Sequence, residues 1–458
     1  MSRCRLPFIL SLGLALGVLA TPARAAFDPP TELAHGSYST SFAQATDAAG
    51  TTTALLTAVG AAPQLLTRTA SGPWSPLAAL PAGTAGAVGP VAAAAGNGAL
   101  ALAWRVDRPH KYDGVAAAVR DPGGVLGAPA TIAGPGDDGV RHPAVAVDAD
   151  GGAVLAYNIG TRSSHDSNRG GVALALRAPG LPFRSAVTLQ TERAQAPAVA
   201  LAPDGHGLVA WTRSGTVFAV SVDVNAGRVG AVRKLTSPGS HNALRVAAGP
   251  GGAATMAWQG RRTIGKGKRQ HTQYGVGVAW RGAGERFGRP ALIGAGDDYV
   301  RDVALAADED GRATVAWARA TFGDDRRLGY NGVTSAIVAA TAASGHAFGA
   351  PQVVKPRSTT LCGTPSIAAA SGRVALAWSC VAQRWPGGIQ VALGAPAPGR
   401  PQTVTPLAAL RDRSGLPGPK TTATLDAHGT ATVLYQLSDP AGPAAGTNTD
   451  QVLATRGR

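Results

Sequence analysis

Residues 202–211 read APDGHGLVAW, and this stretch decides the fold. It joins a turn-forming Asp-Gly pair to a short apolar run, and the aromatic Trp211 follows Gly205 by six residues. The same spacing recurs at intervals of 47 to 61 residues, and repeats of this size indicate a propeller or a solenoid. The pairs are Gly98/Trp104, Gly151/Tyr157, Gly205/Trp211, Gly252/Trp258, Gly311/Trp317, Gly372/Trp378 and Gly429/Tyr435, with a weaker copy at Gly50/Leu56.

Each copy divides into four short apolar runs. In the copy around Gly151 these runs cover residues 143–150, 153–157, 171–177 and 186–190. Runs of this length that are bounded by Gly, Pro and Asp are typical of β-strands, and Asp-Gly between the first two runs favours a tight hairpin turn. Second runs such as LVAW are apolar throughout, which fits sheets that neighbouring blades cover on both faces.

The two ends of the chain indicate a closed ring. The last copy stops after its third run, at residues 451–455, while residues 27–33 resemble the fourth runs of other copies, such as residues 287–293. The N-terminus would then supply the strand that the last copy lacks, which removes a free sheet edge. We therefore predict an all-β fold, with residues 26–458 forming a single β-propeller of eight blades of four antiparallel strands. Seven blades are the alternative if the first copy is degenerate.

The turn and strand at residues 202–211 resemble the repeats of TolB-type propellers, in which a Pro-Asp-Gly turn precedes an apolar strand. The gap to the aromatic is one residue longer here. The repeat is also similar to that of the sialidase-like propellers, although the aromatic of their Asp-box stands closer to its Gly. These resemblances imply the propeller architecture for the mature chain, and they carry over no catalytic residue.

Residues 1–25 have the three parts of a secretory signal peptide. Arg3 and Arg5 precede an apolar stretch over residues 6–20, and Ala23-Arg24-Ala25 fits a small-x-small cleavage site. We predict cleavage there and a secreted protein, either extracellular or in the periplasmic or cell-envelope space. No later run reaches the roughly 18 apolar residues of a membrane-spanning helix. Loss of the three arginines would change the formal net charge from +15 to +12.

Export would place the two remaining cysteines, Cys362 and Cys380, in an oxidising compartment. They lie nine residues on either side of Ser371, in a hairpin turn predicted at residues 370–372. Antiparallel pairing about that turn would put the two side chains opposite each other, so we predict a disulfide. Two free buried thiols are the alternative.

A propeller presents its connecting loops on two faces. The long-loop face consists of the loops between second and third strands and of the connections between blades, and varied loops on a rigid scaffold are the usual place for binding. Its most basic loop lies between Gly260 and Gly275 and contains no acidic residue. Clustered cations concentrate anionic ligands, and a solvated loop without a ligand is the alternative. The ligand-binding candidates are Arg261, Arg262, Lys266, Lys268 and Arg269.

A second candidate site is a repeated element, GPGDDGVR at residues 134–141 and GAGDDYVR at residues 294–301. Each copy precedes an innermost strand, so Arg141 and Arg301 should stand at the mouth of the central channel, where the two sets could bind a sugar. Alternatively, each Asp pair caps its own turn and binds its own Arg. The candidates are Asp137, Asp138, Arg141, His142, Asp297, Asp298, Tyr299 and Arg301, and Trp385 is a candidate aromatic on another long loop.

These features favour an exported propeller that binds an anionic polymer, a glycan or an extracellular protein on its long-loop face. A sialidase-like hydrolase or lyase at the channel mouth is the first alternative, but glycoside hydrolysis needs paired carboxylates, and of the four Glu only Glu192 maps to that face. A structural scaffold is the second.

We predict no catalytic residue and no cofactor. We also predict no metal site, because the Asp-x-Asp-Gly turns offer fewer oxygens than calcium requires. A nucleic-acid partner is not expected, because the aromatics lie in strands rather than among cations. We expect a monomer without a membrane span.

Overall fold

The structure is a computed structural model. It describes residues 27–37, 41–57, 63–79, 87–108, 111–133, 140–160, 170–190, 194–235, 242–321, 334–382, 387–394, 404–410, 420–439 and 449–457. The predicted signal peptide lies outside these ranges. Within them the chain forms 34 β-strands and two single-turn 3-10 helices, Pro250–Gly252 and Gly267–Arg269.

The strands form eight antiparallel sheets, each of which is one blade of a propeller. The predicted eight-bladed fold is therefore confirmed, and the weak copy at Gly50 builds a complete blade. Blade 1 contains β2 (Ser41–Thr46), β3 (Thr52–Thr57), β4 (Gln64–Arg68) and β5 (Ser75–Ala79), and blade 2 contains β6 (Ala87–Ala94), β7 (Leu100–Arg108), β8 (Lys111–Arg120) and β9 (Ala130–Ala133). Blade 3 contains β10 (Val140–Val147), β11 (Ala153–Ile159), β12 (Gly171–Arg177) and β13 (Val187–Gln190). Blade 4 contains β14 (Ala198–Leu201), β15 (His206–Arg213), β16 (Thr216–Asp223), β17 (Arg228–Val229) and β18 (Arg233–Lys234).

Blades 5 to 8 follow the same order from the inner to the outer strand. Blade 5 contains β19 (Asn242–Ala248), β20 (Ala254–Ile264), β21 (His271–Arg281) and β22 (Ala291–Gly296), and blade 6 contains β23 (Tyr299–Ala307), β24 (Ala313–Thr321), β25 (Thr334–Ala342) and β26 (Gln352–Ser358). Blade 7 contains β27 (Thr360–Cys362), β28 (Ser366–Ala370), β29 (Arg373–Ala382), β30 (Gly387–Gly394) and β31 (Val404–Leu410). Blade 8 contains β32 (Thr421–Leu425), β33 (Ala431–Asp439), β34 (Thr449–Gly457) and, as its outer strand, β1 (Thr31–Ser37).

The N-terminal strand closes the ring as the sequence predicts. Strand β1 pairs antiparallel with β34, so that Thr31 lies opposite Ala454 and Ser37 lies opposite Thr449. The backbone N–H of Asp28 extends the pairing by donating to the carbonyl of Arg456 at 2.7 Å. Blade 8 thus takes three strands from one end of the chain and its fourth from the other, which leaves no unpaired edge between the two ends.

The repeated aromatic residues fill the spaces between blades. Trp211 of blade 4 is fully buried and packs in one cluster with Val154 and Leu174 of blade 3. Trp104, Trp317, Trp378 and Tyr435 are equally buried, and each belongs to a cluster that joins its own blade to the preceding one. Burial on both faces explains why the second strands are apolar throughout rather than alternating.

The predicted disulfide is present. Cys362 on β27 lies directly opposite Cys380 on β29, with 3.9 Å between their Cα atoms, and an S–S bond joins them. Both residues are buried in the cluster between blades 6 and 7. The bond therefore links the start of blade 7 to its central strand inside the core.

Four of the eight turns between first and second strands are organised by an Asp and a Gly at fixed positions. In the turn after β10, one carboxylate oxygen of Asp148 accepts the N–H groups of Asp150 and Gly152 at 3.0 and 2.6 Å. Gly151 has a φ of 90°, a left-handed conformation that Gly adopts without strain. Asp47, Asp308 and Asp426 accept a backbone N–H four residues ahead in the same way. These acidic residues therefore organise the turns.

The same eight turns contact one another around the propeller, and we call them the turn ring. Hydrogen bonds join seven of the eight neighbouring pairs among these described turns. At the eighth, Gly249 and Gly311 approach so closely that a Cβ on Gly249 would lie 2.8 Å from the Gly311 Cα. The bonds run from Ala427 N to Ala48 O, Ala48 N to Gly96 O, Asn97 Nδ2 to Ala149 O, Ala149 N to Pro203 O, Gly251 N to Asp204 Oδ2, Ser371 N to the Glu309 carboxylate and Arg373 Nη1 to His428 O. This ring holds the face opposite the long-loop face together.

Candidate ligand-binding site

The innermost strands enclose a central channel. Strands β2, β6, β10, β14, β19, β23, β28 and β32 each contact the next, and β32 contacts β2. Each inner strand runs from a blade-to-blade connection on the long-loop face to the turn ring. Residues at the beginnings of these strands therefore surround the channel mouth on the long-loop face.

Four of the inner strands are interrupted near this mouth by a β-bulge. The register shifts lie between Val88 and Val91, Arg141 and Ala144, Asn242 and Arg245, and Val300 and Val303. Gly89, His142 and Ala243 have left-handed φ values of 59°, 50° and 54° inside three of these bulges. Bulges change the direction in which nearby side chains point and are common beside functional sites, and left-handed φ at His142 and Ala243 is costly for a residue with a Cβ.

The backbone of the repeated Arg element has the predicted symmetry. Val140 and Val300 precede the two arginines and occupy matching positions, because each pairs with the residue two places after the buried aromatic of its blade. Arg141 and Arg301 therefore begin equivalent bulges in blades 3 and 6. Arg301 is half-buried and has no hydrogen bond or ion pair with another residue that the structure describes.

The structure describes only some of the other candidate residues. Asp137, Asp138 and Trp385 lie outside the described residues, as does the side chain of Arg141. His142 and Asp297 are exposed. Within these limits the structure brings Arg301 and the backbone of Arg141 to one mouth.

Asp298 is bound within its own blade. Its carboxylate accepts a hydrogen bond from Thr321 Oγ1 at 2.5 Å and forms ion pairs with Arg319 at 3.1 Å and Arg357 at 2.5 Å. The sequence offered a local alternative in which the Asp pairs with Arg301 of its own element. That pairing is wrong for Asp298, whose partners are Thr321, Arg319 and Arg357. Asp298 thereby joins the connection before β23 to strands β24 and β26 of blade 6, and Arg301 remains available at the mouth.

Tyr299 and the basic stretch of blade 5 are connected by an aromatic contact. The ring of Tyr299 packs edge-on against that of Tyr274, with 5.3 Å between ring centroids. Tyr274 lies directly opposite Arg261 on the neighbouring strand. The contact anchors the basic stretch of blade 5 to the first strand of blade 6.

The most basic stretch forms a β-hairpin rather than the loop expected from its sequence. Strands β20 and β21 stay paired as far as Ile264 and His271. We call residues 261–274, which lie between Gly260 and Gly275, the basic hairpin. Strand β20 extends six residues past Trp258, whereas β15 extends two past Trp211. At about 3.4 Å per residue the hairpin therefore projects roughly 14 Å further than its counterpart in blade 4.

The basic hairpin presents its cations to solvent. Arg261, Arg262, Lys266 and Arg269 are all exposed. Arg262 donates to the side-chain oxygen of Gln273 at 3.1 and 2.9 Å. Arg261, Lys266 and Arg269 have no hydrogen-bond or ion-pair partner among the described residues. The side chain of Lys268 is outside the description.

Arginines near the turn ring are used differently. Arg120, Arg177 and Arg281 end the third strands of their blades, and each donates to the carbonyl of the turn glycine beside it. Arg177 also pairs with Asp121 of the preceding blade at 2.7 Å, and this interaction lowers the pKa of that carboxyl group. Arg177 and Arg281 thus bind residues of the preceding blade, whereas Arg261, Lys266 and Arg269 have no partner among the described residues and can meet a ligand.

A cavity of about 420 Å³ lies in the channel near the long-loop face. Inner strands of blades 2 to 5 form its walls. The lining residues are Val91, Ala92, Ala144, Val145, Gln195, Ala196, Pro197, Ala198, Val199, Thr212, Ala243, Leu244, Arg245 and Val246. The walls are mainly small and apolar, with Arg245 as the charged member.

Arg245 is a residue that the sequence did not single out. Its Nη1 donates to the carbonyl of Leu244 at 2.9 Å. Burial among protein atoms lowers its pKa, and the negative charge of Asp302 acts in the opposite direction. Arg245 is nevertheless exposed to solvent. In a regular strand, alternate side chains face the channel, and they can be counted from the sequence. The bulge between Asn242 and Arg245 shifts this alternation, so counting could not have identified Arg245.

No helix within the described ranges is long and apolar enough to cross a membrane. No group of three or more His, Cys, Asp or Glu side chains is arranged to hold a metal ion in that part of the chain.

Solved structures share the architecture at low sequence identity. The BP39L lectin from Burkholderia pseudomallei matches 81% of this chain and 99% of its own, with 14% identity and a TM-score of 0.50. The Dos1 propeller matches 93% of this chain and 94% of its own, with 9% identity and a TM-score of 0.48. The Hadza microbial sialidase Hz136 matches 74% and 73%, with 13% identity and a TM-score of 0.36. No protein-family model and no curated protein matches.

These similarities concern the fold alone. The chain is an eight-bladed β-propeller. The ligand has to be argued from the residues of this chain.

Proposed function

We propose that this protein is an exported binding protein that captures an anionic polymer, such as an acidic glycan, on its long-loop face. The observation that carries the proposal is the basic hairpin, where Arg261, Arg262, Lys266 and Arg269 project into solvent on paired strands. No acidic residue lies between Gly260 and Gly275 to neutralise them.

Physical reasons favour a polymer over a small ligand at this hairpin. The cations are spread along a projecting ribbon rather than gathered in a pocket, so a ligand must extend to meet several of them. Arg binds carboxylate and sulfate groups through paired hydrogen bonds, and three of these four cations are Arg. A paired hairpin also loses less conformational entropy on binding than a disordered loop would.

Export is part of the proposal. The signal-like start of the sequence and the Cys362–Cys380 disulfide support it, because disulfides persist in oxidising compartments. Cell-envelope glycans and extracellular proteins would then be the accessible partners. N-terminal sequencing of the secreted protein should begin at Ala26.

Carbohydrate hydrolysis is the competing function. Lectins and sialidases both occur among similar propellers by their printed names, so the fold leaves the choice open. The described residues that line the channel cavity include neither Asp nor Glu, and glycosidases use a pair of carboxyl groups. Release of reducing sugar from acidic polysaccharides by the purified protein would decide for hydrolysis.

The binding proposal is tested with three soluble polymers: polygalacturonate, dextran sulfate and neutral dextran. The hairpin variant combines R261Q, R262Q, K266Q and R269Q. A matched control combines R228Q, R233Q, R286Q and R289Q, which removes four exposed positive charges, two from the outer strands of blade 4 and two from the connection between β21 and β22. Four exposed ion pairs at about 0.5 kcal/mol each sum to about 2 kcal/mol, which predicts a loss of affinity of about 30-fold for the hairpin variant.

The expected result is salt-sensitive binding of one or both anionic polymers, lost in the hairpin variant and kept in the control. Equal loss in both variants would mean that only net charge matters. Unchanged affinity in the hairpin variant, or no binding of either anionic polymer by the wild type, would refute the proposal and leave the scaffold interpretation.

A further inference from the structure

We propose that the channel cavity is a binding site for a compact organic carboxylate with an apolar body, and that Arg245 recognises the carboxylate group. This site is separate from the basic hairpin, and the inference does not depend on polymer binding. It is argued from the polar groups, the walls and the backbone of the cavity.

Arg245 has unused hydrogen-bond donors in the cavity. It lines the cavity and uses one N–H to bind the Leu244 carbonyl. A guanidinium has five N–H donors, so most of its donors remain for a ligand. The negative charge of Asp302 acts on Arg245, but Asp302 does not line the cavity, and no lining residue is acidic. An anion that enters would bind these donors directly, in surroundings where water only partly screens its charge.

A second donor lies on the same wall. Gln195 lines the cavity, and its side-chain oxygen accepts a hydrogen bond from Thr212 Oγ1 at 2.8 Å. That bond orients the amide so that its NH₂ group is the free end. Gln195 and Arg245 therefore both offer donors, which suits an acceptor-only group such as a carboxylate.

The remaining walls select the body of the ligand. Val91, Val145, Val199 and Val246 line the cavity together with alanines and Pro197. Hydroxyl groups of a sugar would lose hydrogen bonds to water against such walls, whereas a branched aliphatic or aromatic body would gain by burial. The volume of about 420 Å³ lies within the usual range for small-molecule sites. A single acid of this kind fits better than a saccharide.

The backbone holds Arg245 in place at a cost. Ala243 has a φ of 54° in the bulge that precedes Arg245. Left-handed conformations of residues other than Gly store strain and concentrate at binding sites. The bulge therefore fixes the direction of Arg245 by backbone geometry.

Calorimetric titration of the full mature chain tests the site without any variant. Isovalerate and benzoate are the probes, and their uncharged amides, isovaleramide and benzamide, are the matched controls. We expect saturable binding of at least one acid and at least about 10-fold weaker binding of its amide, because a charge-assisted hydrogen bond is lost. Glucuronate should bind more weakly than the preferred acid. Equal binding of acid and amide, tighter binding of glucuronate, or no binding of either acid would overturn the proposal.

Variants then locate the site. R245Q should weaken acid binding roughly 10- to 100-fold, whereas R286Q, at an exposed Arg in a connection of the same blade, should leave it unchanged. A198L should weaken binding by filling the cavity while Arg245 stays in place. The fourfold hairpin variant should bind the acid normally, so loss of polymer binding and loss of acid binding can be told apart. Wild-type affinity in both R245Q and A198L would contradict the assignment.

Discussion

Arg456 on the last strand and Asp426 in a turn of the same blade form a buried ion pair, with Nη2 3.1 Å from Oδ2 and side chains 8% and 2% exposed. Arg456 also reaches the carbonyl of Thr69 in blade 1 at 3.5 Å. The pair therefore links the end of the chain to the turn ring and to the first blade, at the point where the propeller closes.

Breaking this pair should destabilise the ring closure. R456M leaves the Asp426 carboxylate buried without its partner, and losing one member of a buried pair costs about 3–5 kcal/mol. The double variant D426N/R456M should recover part of that loss, because no unpaired charge remains. Urea unfolding of the wild type and of both variants measures the difference. Equal stability of R456M and the wild type would show that the pair contributes nothing to closure.

Asp148 should make stability depend on pH between about 4 and 6. It is fully buried, and burial raises its pKa from 3.8 to about 6, although backbone N–H groups oppose the shift. The folded chain therefore holds this proton more tightly than the unfolded chain does. The resulting stabilisation is complete below pH 3.8 and is lost as the pH rises through 6.

The variant D148N should remove this dependence while keeping an oxygen acceptor for the turn. The difference in the free energy of unfolding between D148N and the wild type should shift in favour of D148N by up to about 3 kcal/mol between pH 4 and pH 7.5. Each pKa unit corresponds to about 1.36 kcal/mol. D310N, at the exposed matching position in the turn of blade 6, is the control, because Asp150 itself contributes to the raised pKa of Asp148. Urea unfolding at several pH values compares them, and parallel curves for D148N and the wild type would contradict the expected pKa.

The Cys362–Cys380 bond should stabilise the protein without changing its fold. Closing a loop with a sequence separation of 18 is worth roughly 3 kcal/mol in the chain-entropy model. Reduction under native conditions should lower the melting temperature and leave the β-sheet circular dichroism unchanged at 25 °C. Alkylation in denaturant without reductant should label neither cysteine, and labelling of both would show that the bond does not form.

The repeat determines most of the fold, and for a physical reason. A Gly in the left-handed conformation at a tight turn, followed at fixed distance by an aromatic that fills the next interface, leaves little freedom for each blade. Residues 27–33 could be placed beside the last strand because a propeller with an unpaired edge would be exposed to aggregation. Cys362 and Cys380 could be paired by counting residues from the turn.

The candidate site was less predictable because bulges and long-range contacts decide it. The bulge before Arg245 interrupts the alternation of side chains along the strand, so counting along the sequence does not show which residue faces the channel. Asp298 binds Arg319 and Arg357, which lie on other strands of its blade, so its nearest Arg in sequence was misleading. The basic stretch of blade 5 lacks the apolar residues that would have marked it as strand, yet cross-strand pairing continues through it.

Hydrogen–deuterium exchange, read by mass spectrometry with and without dextran sulfate, tests the central claim most directly. Ligand on the long-loop face should slow exchange in the basic hairpin, between Gly260 and Gly275, and leave β17 and β18 on the outer edge of blade 4 unchanged. The account predicts protection of that hairpin and none on the turn ring. Protection confined to the turn ring or to the outer strands, with the hairpin unaffected, would contradict it.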